Sequence, residues 1–128
     1  MDREKIVHHL PAAEAESATY SPVVEISCSK LVIVSGQVAD SDDEDVVGDD
    51  IIVQTHQALE NCRRQLATAG CTLGDVFKVT IYMKDLGEWE KLNRIYTEVM
   101  PAPRPARATV QAGLLPGYLV EIEMWAAK

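Results

Sequence analysis

The sequence predicts one α+β domain in which two helices pack on the same face of a mixed β-sheet. Two segments, residues 51–69 and 88–100, repeat apolar residues at helical spacing. Five further segments have the apolar patterns of strands, so the predicted order is β-β-α-β-α-β-β. Two helices of this length can cover one face of a sheet built from those strands. The 128 residues, 47% of them hydrophobic, are enough for one core.

The chain is predicted to begin with a leader and two strands. Residues 1–19 show no apolar periodicity, so we expect a flexible leader, with residues 20–128 forming the domain. Val23–Ile26 predicts the first strand. The second, residues 30–38, is rich in β-branched residues and is expected to be buried on both faces. Gly36 within it indicates a bulge or a close backbone approach.

An acidic segment precedes the first helix. Seven Asp and Glu residues lie between Asp40 and Asp50 and contribute most of the net charge of −8. An EF-hand calcium loop requires Gly at its sixth position and Glu at its twelfth, where this chain has Asp45 and Ile51. The segment is therefore interpreted as a solvated connection whose last two residues can cap the helix, and Gly70 is positioned to end it.

The next strand and helix follow a short turn. Phe77–Met83 alternates apolar and polar side chains, which predicts a strand with one core face. The second helix begins near Glu88, and Asn93 interrupts its apolar stripe. A buried carboxamide needs hydrogen-bond partners, so Asn93 is either structural or part of a site, and the pattern alone favours a structural role. Prolines at 101, 103 and 105 end this helix.

The last two strands carry charge within apolar alternation. In residues 106–111 and 120–126, apolar side chains face one way and polar ones the other. We expect the polar face to point away from the helices and to need a partner. That face is predicted to carry Tyr82, Arg107, Thr109 and Glu121.

Composition excludes several function classes. The chain has no basic cluster for a phosphate backbone, no phosphate-binding glycine loop, no nucleophile elbow and no recognisable cofactor motif. Its three cysteines have no disulfide or metal spacing, which suits a reducing compartment, and its three histidines are too few and badly spaced for a triad. We predict a cytoplasmic protein with no metal, nucleic-acid or membrane partner.

Arg107 and Glu121 are the candidate functional pair. A guanidinium can bind a small carboxylate through two parallel hydrogen bonds, and a carboxylate can activate a water molecule. Together they would suit addition of water to a small anionic substrate. The alternative is an ion pair of Arg107 with Glu121 or Glu123 that joins strands or subunits, and spacing alone favours it.

The segment from Arg107 to Met124, Arg-Ala-Thr-Val-Gln-Ala-Gly-Leu-Leu-Pro-Gly-Tyr-Leu-Val-Glu-Ile-Glu-Met, resembles the C-terminal signature of the RidA (reactive intermediate deaminase, YjgF) family. The resemblance includes Val-Ser-Gly-Gln-Val at residues 34–38 and Lys-Val-Thr-Ile-Tyr-Met-Lys-Asp-Leu at 78–86, and extends over residues 21–127. It implies a chorismate-mutase-like fold, a homotrimer with a central barrel and intersubunit clefts, and cofactor-independent hydrolysis of enamines and imines such as 2-aminoacrylate to 2-oxo acids and ammonia.

The resemblance also implies roles for particular residues. Arg107 would bind the substrate carboxylate and Glu121 would position the attacking water, while Glu123 would have a structural role. The expected pocket residues are Ser35, Gly36, Asn93, Ala108 and Thr109, so the resemblance reverses the structural interpretation of Asn93.

Two departures leave the substrate open. Val23 stands where the family often has a tyrosine of the pocket, and Thr109 where it often has cysteine. A specialised deaminase, for example on 2-aminomuconate, is one alternative. Another is a noncatalytic trimer that binds small carboxylates as a sensor or scaffold. Members of the family have also been linked to ribonuclease activity, but the acidic charge argues against RNA binding here.

Overall fold

The computed structural model describes residues 5–128 and contains six strands and two α-helices. Short 3-10 turns at residues 12–14, 73–75 and 86–88 join some of them. In chain order, the elements are β1 (Ile6–His9), β2 (Val23–Ile26), β3 (Leu31–Gln37), α1 (Ile51–Thr68), β4 (Val76–Met83), α2 (Trp89–Val99), β5 (Ala106–Gln111) and β6 (Val120–Ala127).

The strands form a four-stranded mixed sheet and a separate two-stranded one. The large sheet has the order β3-β6-β4-β5, in which β4 and β5 are parallel and the other neighbours are antiparallel. Both helices pack on one face, which confirms the predicted α+β class. The core lies between this face and the helices, and we call this face the helix side of the sheet. The opposite face is the outer face.

The N-terminal region differs from the sequence prediction. Residues 6–9, expected to belong to a flexible leader, form β1, which pairs antiparallel with β2. Strand β2 therefore belongs to this hairpin and not to the large sheet. The order of β1 comes from its pairing with β2, and no local pattern in residues 6–9 shows that pairing. Residues 1–4 of the predicted leader lie outside the described residues.

Strand β3 contains the predicted irregularity at Gly36. Val34 pairs with Met124 and Gln37 with Ile122, so two residues of β3 lie opposite one residue of β6. This is the pattern of a β-bulge. The prediction that β3 is buried on both faces is wrong for the single chain, because Ile33 on the outer face is 57% exposed.

Two buried amides hold the acidic segment against α1. The side chain of Gln54 donates to the carbonyls of Gly48 and Gly117 and accepts from the backbone N–H of Leu119. That of Asn61 donates to the carbonyls of Val38 and Asp40. The segment is therefore fixed to the helix at both ends. Asp50 caps α1 as predicted, accepting from the N–H of Val53, and Gly70 follows the helix with φ of +76°.

Neither helix in residues 5–128 combines the length and the apolar character needed to cross a lipid bilayer.

Candidate functional site

Arg107 lies on the helix side of the sheet, not on the outer face where the sequence analysis placed it. In the parallel pairing of β4 and β5, Arg107 is opposite Val79, and Thr109 is opposite Ile81. Val79 and Ile81 are core residues with 1% and 0% exposure. Because paired residues of neighbouring strands point to the same side, Arg107 and Thr109 point toward α2.

The guanidinium of Arg107 is held by neutral groups. Its Nη2 donates to Oδ1 of Asn93 on α2 at 2.5 Å, and its Nε donates to Oγ1 of Thr109 at 2.9 Å. Its Cζ lies 4.7 Å from the centre of the Tyr96 ring, a cation–π arrangement. Asn93 and Thr109, both predicted as site residues, are therefore in direct contact with Arg107. Tyr96 is an additional contact, and its position one turn after Asn93 on the apolar stripe is the only sequence signal for it.

The charge of Arg107 has no compensating carboxylate among residues 5–128. None lies within ion-pair distance of the guanidinium, so within one chain the predicted ion pair with Glu121 or Glu123 does not form. Its Nη1 is buried and has no hydrogen-bond partner in the part of the chain that the structure describes. Burial lowers the pKa of Arg107 from its ordinary value, against the opposing effect of Tyr96. The same site raises the pKa of Tyr96, chiefly through burial of its hydroxyl. The guanidinium therefore has an unpaired donor and an uncompensated charge, both of which an anionic ligand would satisfy.

Glu121 lies on the outer face of the sheet. It is opposite Tyr82 in the pairing of β4 with β6, and Tyr82 donates a hydrogen bond to Glu123 at 2.9 Å. That hydrogen bond is the main cause of a raised Tyr82 pKa. The carboxylate of Glu121 lies beside Gly36, where a Cβ atom would be 2.2 Å from Oε2. Gly36, in the bulge of β3, is thus a neighbour of Glu121, and Ser35 precedes it in the same bulge.

The predicted site residues consequently fall into two groups by face of the sheet, with Arg107 and Glu121 on opposite faces of one chain. The expectation of a shared face holds for Tyr82 and Glu121 but is wrong for Arg107 and Thr109. Strand alternation defines the two faces within a strand, but the pairing with β4 decides which of them meets the helices. On the helix side lie Asn93, Arg107 and Thr109, and on the outer face lie Ser35, Gly36, Ala108 and Glu121.

A cavity adjoins the β5 end of this arrangement. Its volume is about 380 Å³, within the range of roughly 300–1,000 Å³ that holds small-molecule ligands. Most of its lining is apolar. The lining residues are Val24, Phe77, Lys78, Val79, Ala106, Arg107 and Ala108.

Residues 5–128 contain no group of three or more His, Cys, Asp or Glu side chains arranged to hold a metal ion. The cysteines are free thiols, and burial raises the pKa of Cys62 to about 12, far from a reactive thiolate.

Comparison with known proteins identifies relatives along nearly the whole chain. Residues 11–128 match the sequence model of the family described as endoribonuclease L-PSP. A RutC family protein of Pyrococcus horikoshii is 39% identical over 105 residues, covering 80% of this chain and 83% of that protein. The 2-iminobutanoate/2-iminopropanoate deaminase of Salmonella typhimurium is 32% identical over 122 residues, covering 91% of this chain and 95% of the enzyme.

Solved structures agree with this relationship. The crystal structure of YyfB from Yersinia pestis, described as a protein of unknown function of the conserved Rid family, has a TM-score of 0.81 with this chain at 26% identity. The match covers 98% of this chain and all of that one. The resemblance to RidA proteins seen in the sequence is thereby confirmed, and the chain belongs to the endoribonuclease L-PSP family, which is also the YjgF/RidA family.

Proposed function

We propose that this protein is a cofactor-independent deaminase that hydrolyses small 2-imino acids and their enamine tautomers to 2-oxo acids and ammonia. The observation that carries the proposal is Arg107, which lines a cavity and whose guanidinium has, within residues 5–128, a buried Nη1 with no partner and no neutralising carboxylate. A 2-imino acid supplies the missing anion. The relative that is named a 2-iminobutanoate/2-iminopropanoate deaminase supports this substrate class.

Arg107 binds the substrate carboxylate in this proposal. Its other donors are already directed by Asn93 and Thr109, so the side chain is oriented before the ligand arrives. Preorganisation of this kind reduces the entropy lost on binding. The apolar lining beside Arg107 suits the hydrocarbon side chain of an imino acid derived from a small apolar amino acid.

The water-directing acid must come from a second copy of the chain. Arg107 is on β5 and Glu121 lies beside β3, and these strands form opposite edges of the large sheet. Association of one copy's β5 edge with another's β3 edge would place the two groups in one cleft. Such a head-to-tail contact closes into a ring when the rotation between copies permits it. The homotrimer implied by the family resemblance is such a ring.

The chemical step is addition of water followed by loss of ammonia. Oxygen of water forms a bond to the imine carbon while the C=N electron pair moves to nitrogen, and Glu121 accepts the proton that water loses. The same carboxyl group returns the proton to nitrogen. As the C–N bond breaks and the C=O bond forms, Glu121 takes the proton of the new hydroxyl group and passes it to the leaving nitrogen, which releases ammonia and the 2-oxo acid. Arg107 keeps the carboxylate fixed throughout.

The first test measures hydrolysis of an imino acid generated in situ by an amino-acid oxidase. Purified wild type should accelerate ammonia and 2-oxo acid release over the spontaneous rate, and Arg107→Ala should lose about a hundredfold or more of kcat/KM because a charge-assisted contact is removed. Arg94→Ala, on the exposed side of α2, is the matched control and should keep the wild-type rate. Wild type that leaves the spontaneous rate unchanged with alanine-, leucine- and phenylalanine-derived imines would refute the proposal.

A noncatalytic carboxylate-binding protein is the second candidate. The observation that favours it is the separation of Arg107 and Glu121 in a single chain, which leaves binding possible without hydrolysis. In that case calorimetry would detect binding of a 2-oxo acid that is lost in Arg107→Ala, Glu121→Ala would bind normally, and no imine would be turned over.

A nuclease function is not favoured, although the family description names an endoribonuclease. The net charge of −8 repels a polyanion such as RNA. Affinity for a nucleic-acid backbone depends on clustered cations.

A further inference from the structure

Arg104 is a buried cation whose guanidinium, among residues 5–128, donates hydrogen bonds to backbone carbonyls and to no side chain. The residue is 6% exposed. Its Nη1 donates to the carbonyls of Glu16 at 2.7 Å and Ala18 at 3.1 Å, and its Nη2 donates to the carbonyl of Thr97 at 2.7 Å. No carboxylate within residues 5–128 lies within ion-pair distance of it. Burying a charge among neutral acceptors costs free energy of folding. A contribution to stability therefore does not by itself explain why residue 104 is an arginine.

One branch of this network leads to the helix that carries Asn93. Thr97, whose carbonyl accepts from Arg104, donates its own hydroxyl to the carbonyl of Asn93 at 2.7 Å. Asn93 in turn accepts the hydrogen bond from Arg107. Arg104 therefore fixes the C-terminal turn of α2, one helical turn from the Asn93 contact.

The other branch leads to the start of β5. Ser21, which is 1% exposed, donates its hydroxyl to the carbonyl of Arg104 at 2.5 Å and its N–H to the carbonyl of Pro105 at 3.1 Å. Its hydroxyl is also 2.9 Å from Nδ1 of His8. The backbone immediately before Arg107 is thus held by the N-terminal region, which Arg104 holds through Glu16 and Ala18.

We propose that Arg104 is a positioning residue for Arg107. By connecting residues 16–18, the end of α2 and the start of β5, it sets the spacing between α2 and β5 and hence the hydrogen bond between Asn93 and Arg107. The role of Arg107 as the carboxylate anchor rests on the proposed function. The positioning role of Arg104 does not rest on the proposed function, because it concerns only the geometry of the unliganded protein.

Two substitutions of Arg104 test the kinetic consequence. Arg104→Met keeps an apolar side chain of similar length but removes all three hydrogen bonds to carbonyls. Arg104→Lys keeps the positive charge on a side chain with a shorter reach. A misplaced anchor weakens substrate binding, so we expect KM for the imine to rise about ten- to a hundredfold in Arg104→Met with a smaller change in kcat. Arg104→Lys should recover part of the loss. Leu66→Ala, in the α1 core, provides a destabilised control that should keep the wild-type KM.

A second measurement works without substrate. The Nε–H of Arg107 is bonded to Thr109, so its ¹⁵N–¹H resonance and its exchange rate with water report the position of the guanidinium directly. Exchange should accelerate and the resonance should shift in Arg104→Met, less so in Arg104→Lys, and not in Leu66→Ala. If Arg104→Met does not fold, the same comparison is made between Arg104→Lys and wild type.

The two measurements separate the two proposals. An altered Arg107 resonance in a protein without deaminase activity would support the positioning role and count against the proposed function. An Arg107 resonance and a KM that are unchanged in both Arg104 variants, or changed equally in Leu66→Ala, would overturn the positioning role.

Discussion

Gly36 allows the backbone of β3 to pass directly beside the carboxylate of Glu121. The atom nearest to a Cβ at this position, at 2.2 Å, would be Oε2, the far end of a flexible side chain. A methyl group there would move the carboxylate aside without opening or overfilling the core. The absence of a side chain at residue 36 therefore controls where Glu121 points.

Gly36→Ala should reduce catalysis with little effect on stability. In the proposed mechanism Glu121 directs the attacking water, so displacing its carboxylate while leaving Arg107 untouched should lower kcat about tenfold or more and keep KM near the wild-type value. Steady-state kinetics and a thermal melt measure the two effects. Gly74→Ala is the control, since its new Cβ would have no neighbour closer than 3.5 Å. A raised KM with unchanged kcat would show that Glu121 does not take part in the chemical step.

The side chains around Arg107 show how far a single sequence predicts a site. Alternation correctly separated Arg107 and Thr109 from their neighbours in β5, but assigning them to the outer face was wrong. That assignment depends on the register between β5 and β4, which no local pattern contains. The contact between Arg107 and Asn93 depends in addition on the packing of α2. The charge pattern had made Arg107 a candidate and the family resemblance moved Asn93 from a structural role to the site, while their meeting on the helix side required the structure.

At the scale of elements, the sequence prediction succeeds where a periodic pattern of apolar residues extends over many positions. Helix α1 was predicted for residues 51–69 and occupies Ile51–Thr68, and the predicted strand Phe77–Met83 corresponds to β4, Val76–Met83. Strand β2 was predicted at Val23–Ile26, but β1 and its pairing with β2 were missed because the order of this region comes from contacts with distant segments. Among these, Lys5 contacts the carboxylate of Asp75 and donates to the carbonyl of Ala127.

The contact with Asp75 predicts a pH dependence of stability. Burial alone would raise the pKa of Asp75, but hydrogen bonds from Lys5 and from the backbone of Thr72 outweigh it and hold the pKa below its ordinary value of 3.8. A carboxyl group whose pKa is lowered by folding stabilises the protein above its unfolded pKa. That contribution is lost as the pH falls through the lower, folded pKa.

Asp75→Asn should therefore lower the free energy of unfolding at pH 7, by about 1 kcal/mol or less because the pair is partly solvated. The difference from wild type should shrink as the pH falls below about 4. Urea unfolding at a series of pH values measures both effects. Asp43→Asn removes the same charge from an exposed position of the acidic segment and should show no such trend. A difference that grows toward low pH would contradict the pKa direction.

At the scale of the whole molecule, the large sheet has one half of the candidate site near each edge. Arg107 and its neutral contacts are on β5, and Glu121 with Gly36 is beside β3. The outer face also retains exposed apolar residues, including Leu31, Ile33 and Val110, at 51%, 57% and 41% exposure. Apolar groups on an otherwise unpartnered sheet face are typical of surfaces that another chain covers. Assembly would thus complete the site and cover this face together.

The proposal of a site shared between two copies makes a prediction that no single-chain site makes. Arg107→Ala and Glu121→Ala should each be inactive as pure proteins, yet their coexpression should restore activity. In a ring, a cleft formed by Arg107 of a Glu121→Ala copy and Glu121 of an Arg107→Ala copy is intact. For random mixing, about a quarter of the clefts should have this composition, and the recovered kcat should approach that fraction of the wild-type value. Light scattering should give the mass of a trimer for both variants and for the mixture. Coexpressed trimers with no more activity than the separate variants would show that Arg107 and Glu121 do not act in one cleft.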